Sequence, residues 1–377
     1  MPSPQRLSRV LCVVGARPNF MKIAPIMASF SRHPALVPIL VHTGQHYDDA
    51  MKTSFFGQLG IPEPDVDLEV GSASHALQTA EIMKRFEPVL LERQPDAVLV
   101  VGDVNSTIAC ALVASKLDVP VCHVEAGLRS FDRRMPEEIN RVLTDQLSSL
   151  LFTTERAAED NLRREGIDSG RIRFVGNVMI DTLVAQSKRA PDVFSVLERY
   201  EVGRALSATD SGYAVVTLHR PSNVDDVKTL RSLIECLGEV AERLPVVFPV
   251  HPRTQARLRE TSLIEEVSSR VILIPAVGYL EMIGLMKTAS MVLTDSGGVQ
   301  EETTALGIPC LTLRENTERP ITVEQGTNTV VGTSKERILA AVDQTLRAGE
   351  KRGRLPELWD GHAAERIAQH TADWLGR

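Results

Sequence analysis

The chain has 377 residues, 43% of them apolar and 24% charged, with a formal net charge of −7. That length calls for two domains, and the composition is that of an ordinary globular protein. The negative balance argues against a nucleic-acid coat or a binder of anionic membranes, but leaves room for a small anionic ligand held by a few local cations.

Five cysteines, Cys12, Cys110, Cys122, Cys236 and Cys310, lie far apart with no CxxC pair, which favours buried reduced thiols. MPSPQRLSR has no apolar stretch ahead of the first strand, and the longest apolar runs are strand-sized. Neither a signal peptide nor a membrane span is expected, and the cytoplasm is the expected location.

In chain order the pattern is strand, loop, helix, repeated. RVLCVVG reads as a buried strand, GARPNF as its turn and MKIAPIMASFSRH as a helix. VPILVHTG is the next strand, then the polar loop QHYDDAM and the helix HALQTAEIMKRFEPVLLERQ. DAVLVVGD is near-continuously apolar, as parallel sheets require. STIACALVASKLD follows as a helix with Asn105 or Ser106 as cap. After the VPVCHVE strand comes HVEAGLRSFDRRMPEEINR, a strand-end loop dense in charge, and a helix with Pro136 suited to its first position. LLFTT, ERAAEDNLRREGI and RIRFVGN complete this half.

The rhythm changes after Asn177, so the domain joint is placed near Asn177 to Met179. The second half repeats the alternation through the strands YAVVTLH, VVFPVH, VILIPA, MVLTD, PCLTL and TNTVVG, and ends on the amphipathic helix ERIAQHTADWLGR. Alternating βα units predict an α/β protein of two Rossmann-like domains with parallel sheets facing a central cleft. GARPNF occupies the turn where a nicotinamide-binding chain carries GxGxxG.

Candidate chemistry gathers at strand ends, where open α/β folds place ligands. After the first strand, Gly15 opens onto a helix start with Arg17 and Lys22, an anion-binding arrangement. Asp103 ends the strand in VVGDVNST and Glu125 ends the next; as neighbours they would share one crevice, where acids take different protonation roles. A helix cap accounts for Asp103 equally well, and pairing with Arg129, Arg133 or Arg134 would account for Glu125 and Glu137. His219 and Arg220 end the first strand of the second half, an acid/base or a phosphate donor beside a cation. TDSGGVQEE, with Ser296, Gly297, Gly298 and Glu302, makes a close-approach turn into a helix, suited to a pyrophosphate and ribose. His251 and Arg253 of VHPRT, and Arg319, add positive groups. No HExxH, Cys cluster or DxD pair points to a metal, and no GxSxG elbow to a serine hydrolase.

GARPNFMKIAP, TGQHYDDAM, GDVNST, HVEAGLRSFDRRMPEEINR, TLHRP, HPRT and TDSGGVQEE fall in the order seen in the non-hydrolysing UDP-N-acetylglucosamine 2-epimerases, which this chain resembles from about Val10 to Gly332. The resemblance implies a GT-B-like fold, with residues 1–178 carrying the carboxylates, 179–358 binding UDP, and a helix in 359–377 crossing back onto the first domain. It implies C2 epimerisation of a UDP-N-acetylhexosamine by anti elimination of UDP to a 2-acetamidoglucal and re-addition, with no cofactor and no metal. Asp103, Glu125, Glu137 and His219 fall on catalytic positions of that family. Arg17, Lys22, Met282, Ser296, Gly297, Gly298, Glu302 and Arg319 fall on substrate-binding ones. Gln45, His46, Arg220 and His251 match a possible allosteric site. GSASHALQ carries His75 and Ala76 near the family's Arg, and Asp48 replaces a usual Gln. The SFDRRM loop resembles the branch acting on UDP-diacetamido-uronic acids, and a hydrolysing epimerase is a same-fold alternative. The expected partners are a UDP-sugar and a second copy of the chain, with no nucleic acid and no membrane.

Overall fold

The computed structural model describes residues 7–44, 56–202, 212–348 and 353–376, apart from the side chains of Arg17, Pro18 and Ala348. Gln45, His46 and Asp48 lie outside the described residues. The chain forms two compact units, Met1–Val184 with Glu357–Arg377, and Ala185–Pro356.

The first unit is built on a seven-stranded sheet with the order β3-β2-β1-β4-β5-β6-β7. Its strands are β1 Ser8–Val14, β2 Leu36–His42, β3 Val66–Asp67, β4 Ala97–Val101, β5 Val121–Val124, β6 Leu150–Thr153 and β7 Ile172–Phe174. All neighbours pair in parallel, as between β1 and β4 and between β4 and β5. Helices cover both faces, so β4 (AVLVV) is buried along its whole length. The order reverses between β1 and β4, which makes the carboxyl ends of those strands the unit's ligand edge. β3 is the strand that hydrophobic pattern does not announce; two residues at a sheet edge, with Pro62 and Pro64 just before, leave no periodicity to read.

The second unit carries a six-stranded sheet with the order β10-β9-β8-β11-β12-β13. These are β8 Ala214–Thr217, β9 Val246–Val250, β10 Ile272–Pro275, β11 Met291–Thr294, β12 Cys310–Thr312 and β13 Asn328–Val330. The reversal falls between β8 and β11, again in parallel register.

The division between units falls at Val184, six residues beyond the joint expected at 178, because one helix, Val178–Ser187, runs through that point. Val178, Ile180 and Leu183 on it are buried. The return to the first unit begins at Glu357 rather than 359. Trp359, fully buried, donates its indole N–H to the Thr154 carbonyl at 3.1 Å. Asp181 accepts the Ala363 and Ala364 amides at 3.1 and 2.7 Å and so caps the C-terminal helix Ala363–Leu375. All five cysteines are free and buried. Among the described residues no helix is long and apolar enough to cross a membrane.

Candidate active site

At the switch edge of the first unit, the turn after β1 leads into the helix Arg17–Arg32. Asn19 accepts the Ala16 amide at 3.2 Å and donates to the Val101 carbonyl at 2.9 Å. One buried side chain thus ties the β1 turn to the end of β4. Arg17 is the first residue of this helix. Lys22, one turn on, is 7% exposed and forms an ion pair with the Glu125 carboxylate, itself 3% exposed. The sequence suggests Lys22 as a cation for substrate; here it is the counter-charge of an acid two strands away in the order β1-β4-β5.

Glu125 sits in a left-handed backbone conformation (φ 73°), which a side chain other than Gly or Asn adopts at a cost. Two amide bonds to the Phe152 carbonyl, from Glu125 and Ala126 at 3.1 and 3.0 Å, hold that turn. Between Lys22 and Asp103 lies Gly102, at φ 66°. A Cβ there would stand 3.0 Å from Lys22 Nζ and 3.3 Å from both Asn19 Nδ2 and Glu125 Oε2. The glycine therefore makes room for the acid–ammonium pair.

Asp103 and Glu125 follow adjacent parallel strands, β4 and β5. The Asp103 carboxylate is 26% exposed and lies 3.6 Å from the Arg141 guanidinium. Asp103 is not the cap of the next helix. That helix is Asn105–Lys116, with Val104 at the N-cap position and no side-chain cap bond. Asn105 and Ser106 are inside it, and the Asn105 amide donates instead to Gln78 at 2.8 Å. Arg141 also reaches Glu138 at 3.2 Å, and Glu138 accepts the amides of Ser130 and Phe131 at 2.9 and 3.0 Å. Glu137, in the first turn of the helix Pro136–Leu147, is half-buried.

The loop arginines take other partners than the acids suspected from sequence. Arg129 pairs with Asp145 at 2.7 Å and Glu165 at 2.6 Å, and Arg134 pairs with Asp132 at 2.8 Å.

In the second unit, β8 and β11 bring His219, Arg220 and the segment from Asp295 to Gly298 to one edge. Asp295, fully buried, organises it. Its carboxylate takes the His219 ring Nδ1 at 3.0 Å, the His219 and Arg220 amides at 3.0 and 2.9 Å, and the Asn223 amide at 3.2 Å. Burial pushes this carboxyl up, but the His219 and amide bonds outweigh it and hold it below the ordinary range. With Nδ1 engaged, the His219 ring is oriented and 35% exposed. Its ring centre lies 5.5 Å from that of His251, which caps the helix Pro252–Glu260 by accepting the Arg253 amide.

Arg220 reaches Glu318 at 3.3 Å, and Arg314 approaches the same carboxylate at 2.7 Å. Burial raises Glu318, but Arg314, Arg319 and Arg220 together hold it down to about 2. A Cβ on Gly297 would stand 2.7 Å from that carboxylate, so the glycine admits Glu318 to the start of the helix Gly297–Leu306. Ser296 occupies the N-cap position of this helix without a side-chain cap bond, and Gly298 follows Gly297 in the first turn. Arg319 pairs with Glu301 at 3.0 Å. Glu302 is buried, and burial, reinforced by repulsion from Glu301, pushes its carboxyl up to about 7. Tyr279 faces it, on the helix Tyr279–Met286, where Met282 is half-buried.

Sequence reasoning passed over Asp295, Glu318, Arg141 and Asp145. Arg141 carries a local signal, its i,i+3 spacing from Glu138, and Asp295 another, an acid directly after the apolar strand MVLT.

A family model described as UDP-N-acetylglucosamine 2-epimerase matches residues 28–372. A UDP-N-acetylglucosamine 2-epimerase of Methanocaldococcus jannaschii is 43% identical over 364 residues, covering 95% of this chain and 97% of its own. A Pseudomonas aeruginosa UDP-2,3-diacetamido-2,3-dideoxy-D-glucuronate 2-epimerase is 42% identical over 368 residues, 97% of this chain and 99% of its own. The crystal structure of the M. jannaschii enzyme with UDP-GlcNAc and UDP aligns with a TM-score of 0.86 at 42% identity, covering 97% of this chain and 99% of that one. Two parallel-sheet α/β units matched over nearly their full length by epimerases define an isomerase. The chain belongs to the UDP-N-acetylglucosamine 2-epimerase family.

Proposed function

We propose that this chain interconverts UDP-N-acetylglucosamine and UDP-N-acetylmannosamine by loss and re-addition of UDP. The observation that carries the reading is the juxtaposition of Asp103 and Glu125 at the ends of β4 and β5, Glu125 paired with Lys22 and Asp103 beside the Arg141 that also holds Glu138. Epimerisation at C2 needs a proton removed from one face and returned to the other, hence two acid/base groups with separate surroundings. Asp103, Glu125 and Glu137 are the candidates.

In the forward sense a carboxylate takes the C2 proton, the C1–O bond breaks, and its electron pair leaves with UDP. The C–H pair becomes the C1=C2 bond of a 2-acetamidoglucal. Reversal delivers a proton to the opposite face of C2 and a UDP oxygen to C1. UDP binding falls to the second unit. His219, oriented by Asp295, offers a hydrogen bond and Arg220 a cation to the leaving diphosphate, and the Ser296–Gly298 helix start offers amides. Glu302 is the ribose contact, with Met282 and Arg319 completing the nucleotide end of the site in this unit.

The Pseudomonas relative supports a second reading, a diacetamido-uronic acid substrate, with Arg133 of the SFDRRM loop exposed to meet a sugar carboxylate. A homodimer in the cytoplasm completes the proposal; five buried free thiols suit a reducing compartment. The test is an NMR time course in heavy water with each UDP-sugar. The reading expects the 2-epimer, deuterated at C2; free sugar plus UDP, or no turnover of any UDP-sugar, would overturn it.

A further inference from the structure

One buried cluster below the first unit's site takes no part in the chemistry proposed above. His123 on β5 and Asp145 on the helix Pro136–Leu147 are both completely buried. The His123 ring places Nδ1 2.6 Å from Asp145 Oδ1 and Nε2 2.8 Å from the Gly102 carbonyl oxygen. The second Asp145 oxygen accepts the Gly127 amide at 3.0 Å and the Arg129 guanidinium at 2.7 Å. Arg129 is in turn held by Glu165. The Gly102 oxygen only accepts, so Nε2 carries a proton, and a further proton lies in the Nδ1–Oδ1 contact. Burial pushes the Asp145 carboxyl up, but the contacts from His123 and Arg129 outweigh it and hold the carboxyl below its usual range.

We propose that His123 and Asp145 are positioning residues that set the three candidate carboxylates in one fixed arrangement. The hydrogen bonds make the case. The Gly102 carbonyl belongs to the peptide plane that leads into Asp103. The Gly127 amide closes the turn that begins at Glu125. Asp145 itself stands on the helix whose first turn carries Glu137. A single pair therefore fixes the peptide before one acid, the turn after the second and the helix beneath the third. An apolar pair of similar volume would spare the desolvation cost of the buried charges. It would leave the Gly102 carbonyl and Gly127 amide without partners and the acids free to drift. Displacement of a reacting group by about 1 Å costs on the order of 100-fold in rate.

This inference rests on the epimerase reading, so the parent chain is assayed first; turnover there separates the failure of one from the failure of the other. His123→Phe and Asp145→Asn are then compared per UDP-binding site, titrated with UDP, so that loss of folded protein does not register. The expected result is kcat lower by about 100-fold with KM for the UDP-sugar and Kd for UDP within about threefold. Turnover per UDP site within about threefold of the parent in the folded variants would overturn the proposal. A readout on the parent stands even if neither variant folds. The Gly127 amide, protected through Asp145, should exchange slowly with heavy water, and exchange at the rate of an open loop would equally overturn it.

Discussion

The Lys22 ammonium and the Glu125 carboxylate form an ion pair at the carboxyl edge of β1 and β5, both nearly removed from solvent and separated by 103 positions in the chain. Breaking such a pair leaves an uncompensated buried charge, whereas removing both charges does not. Lys22→Met should therefore destabilise the protein by about 3–5 kcal/mol. The double variant with Glu125→Gln should recover part of that loss, as read from urea midpoints at constant slope. A loss in the double variant equal to the sum of the losses in Lys22→Met and Glu125→Gln alone would show that the pair is not coupled.

Gly102 serves the same pair. In Gly102→Ala the new methyl meets Lys22 Nζ at 3.0 Å and the backbone stays in a left-handed conformation. The left-handed backbone alone costs about 1–2 kcal/mol. The melting temperature should fall and the C2 proton-exchange rate should fall more steeply than UDP binding, because the crowding is at the acids rather than in the second unit.

On the proposed reading His219 meets the leaving diphosphate, and Asp295 is the carboxylate that orients its imidazole. Asp295→Asn keeps the shape but not the charge that accepts four donors. Turnover at saturation should drop by about 100-fold, with His219→Asn in the same background adding little, since the two act as one unit. Additive losses in the double variant would contradict that coupling.

The Glu302 carboxyl, ordinarily near 4.5, is raised to about 7. The folded chain thus holds this proton where the unfolded chain has released it, so Glu302 lowers stability progressively as pH rises from about 4.5 to about 7, and the cost is level above that. On the proposed reading a ribose hydroxyl donates to the ionised carboxylate and so reverses the preference. Affinity for UDP-GlcNAc, which has no ionisation of its own in this range, should rise about tenfold from pH 6 to pH 8. Glu302→Gln should bind more weakly and without pH dependence; an unchanged slope in that variant would remove Glu302 from the ribose site.

The architecture was largely legible in the sequence. Runs such as AVLVV and VLCVV, too apolar for a half-exposed strand, announced central parallel strands, and their polar ends placed Asp103, Glu125 and His219 on the ligand edges. What was not legible is who partners whom. Lys22 and Glu125, or His219 and Asp295, are brought together by strand order, which is decided by packing across the whole sheet. The helix Val178–Ser187 runs through the change in rhythm, and the division between the units falls inside it. Asn105 has the chemistry of a helix cap, yet its amide is drawn to Gln78 on the neighbouring helix, and Val104 takes the cap position.

On the proposed reading the bond from C1 to the diphosphate oxygen breaks and re-forms while the C2 proton moves between carboxylates. It is tested most directly with UDP-GlcNAc carrying oxygen-18 in the C1–O–P bridge, followed by phosphorus NMR during epimerisation. The account predicts that the label migrates from the bridge to the non-bridging positions of the β-phosphate no more slowly than the 2-epimer appears, and that Asp103→Asn and Glu125→Gln suppress both together. Epimer formed with the label still wholly in the bridge would contradict it.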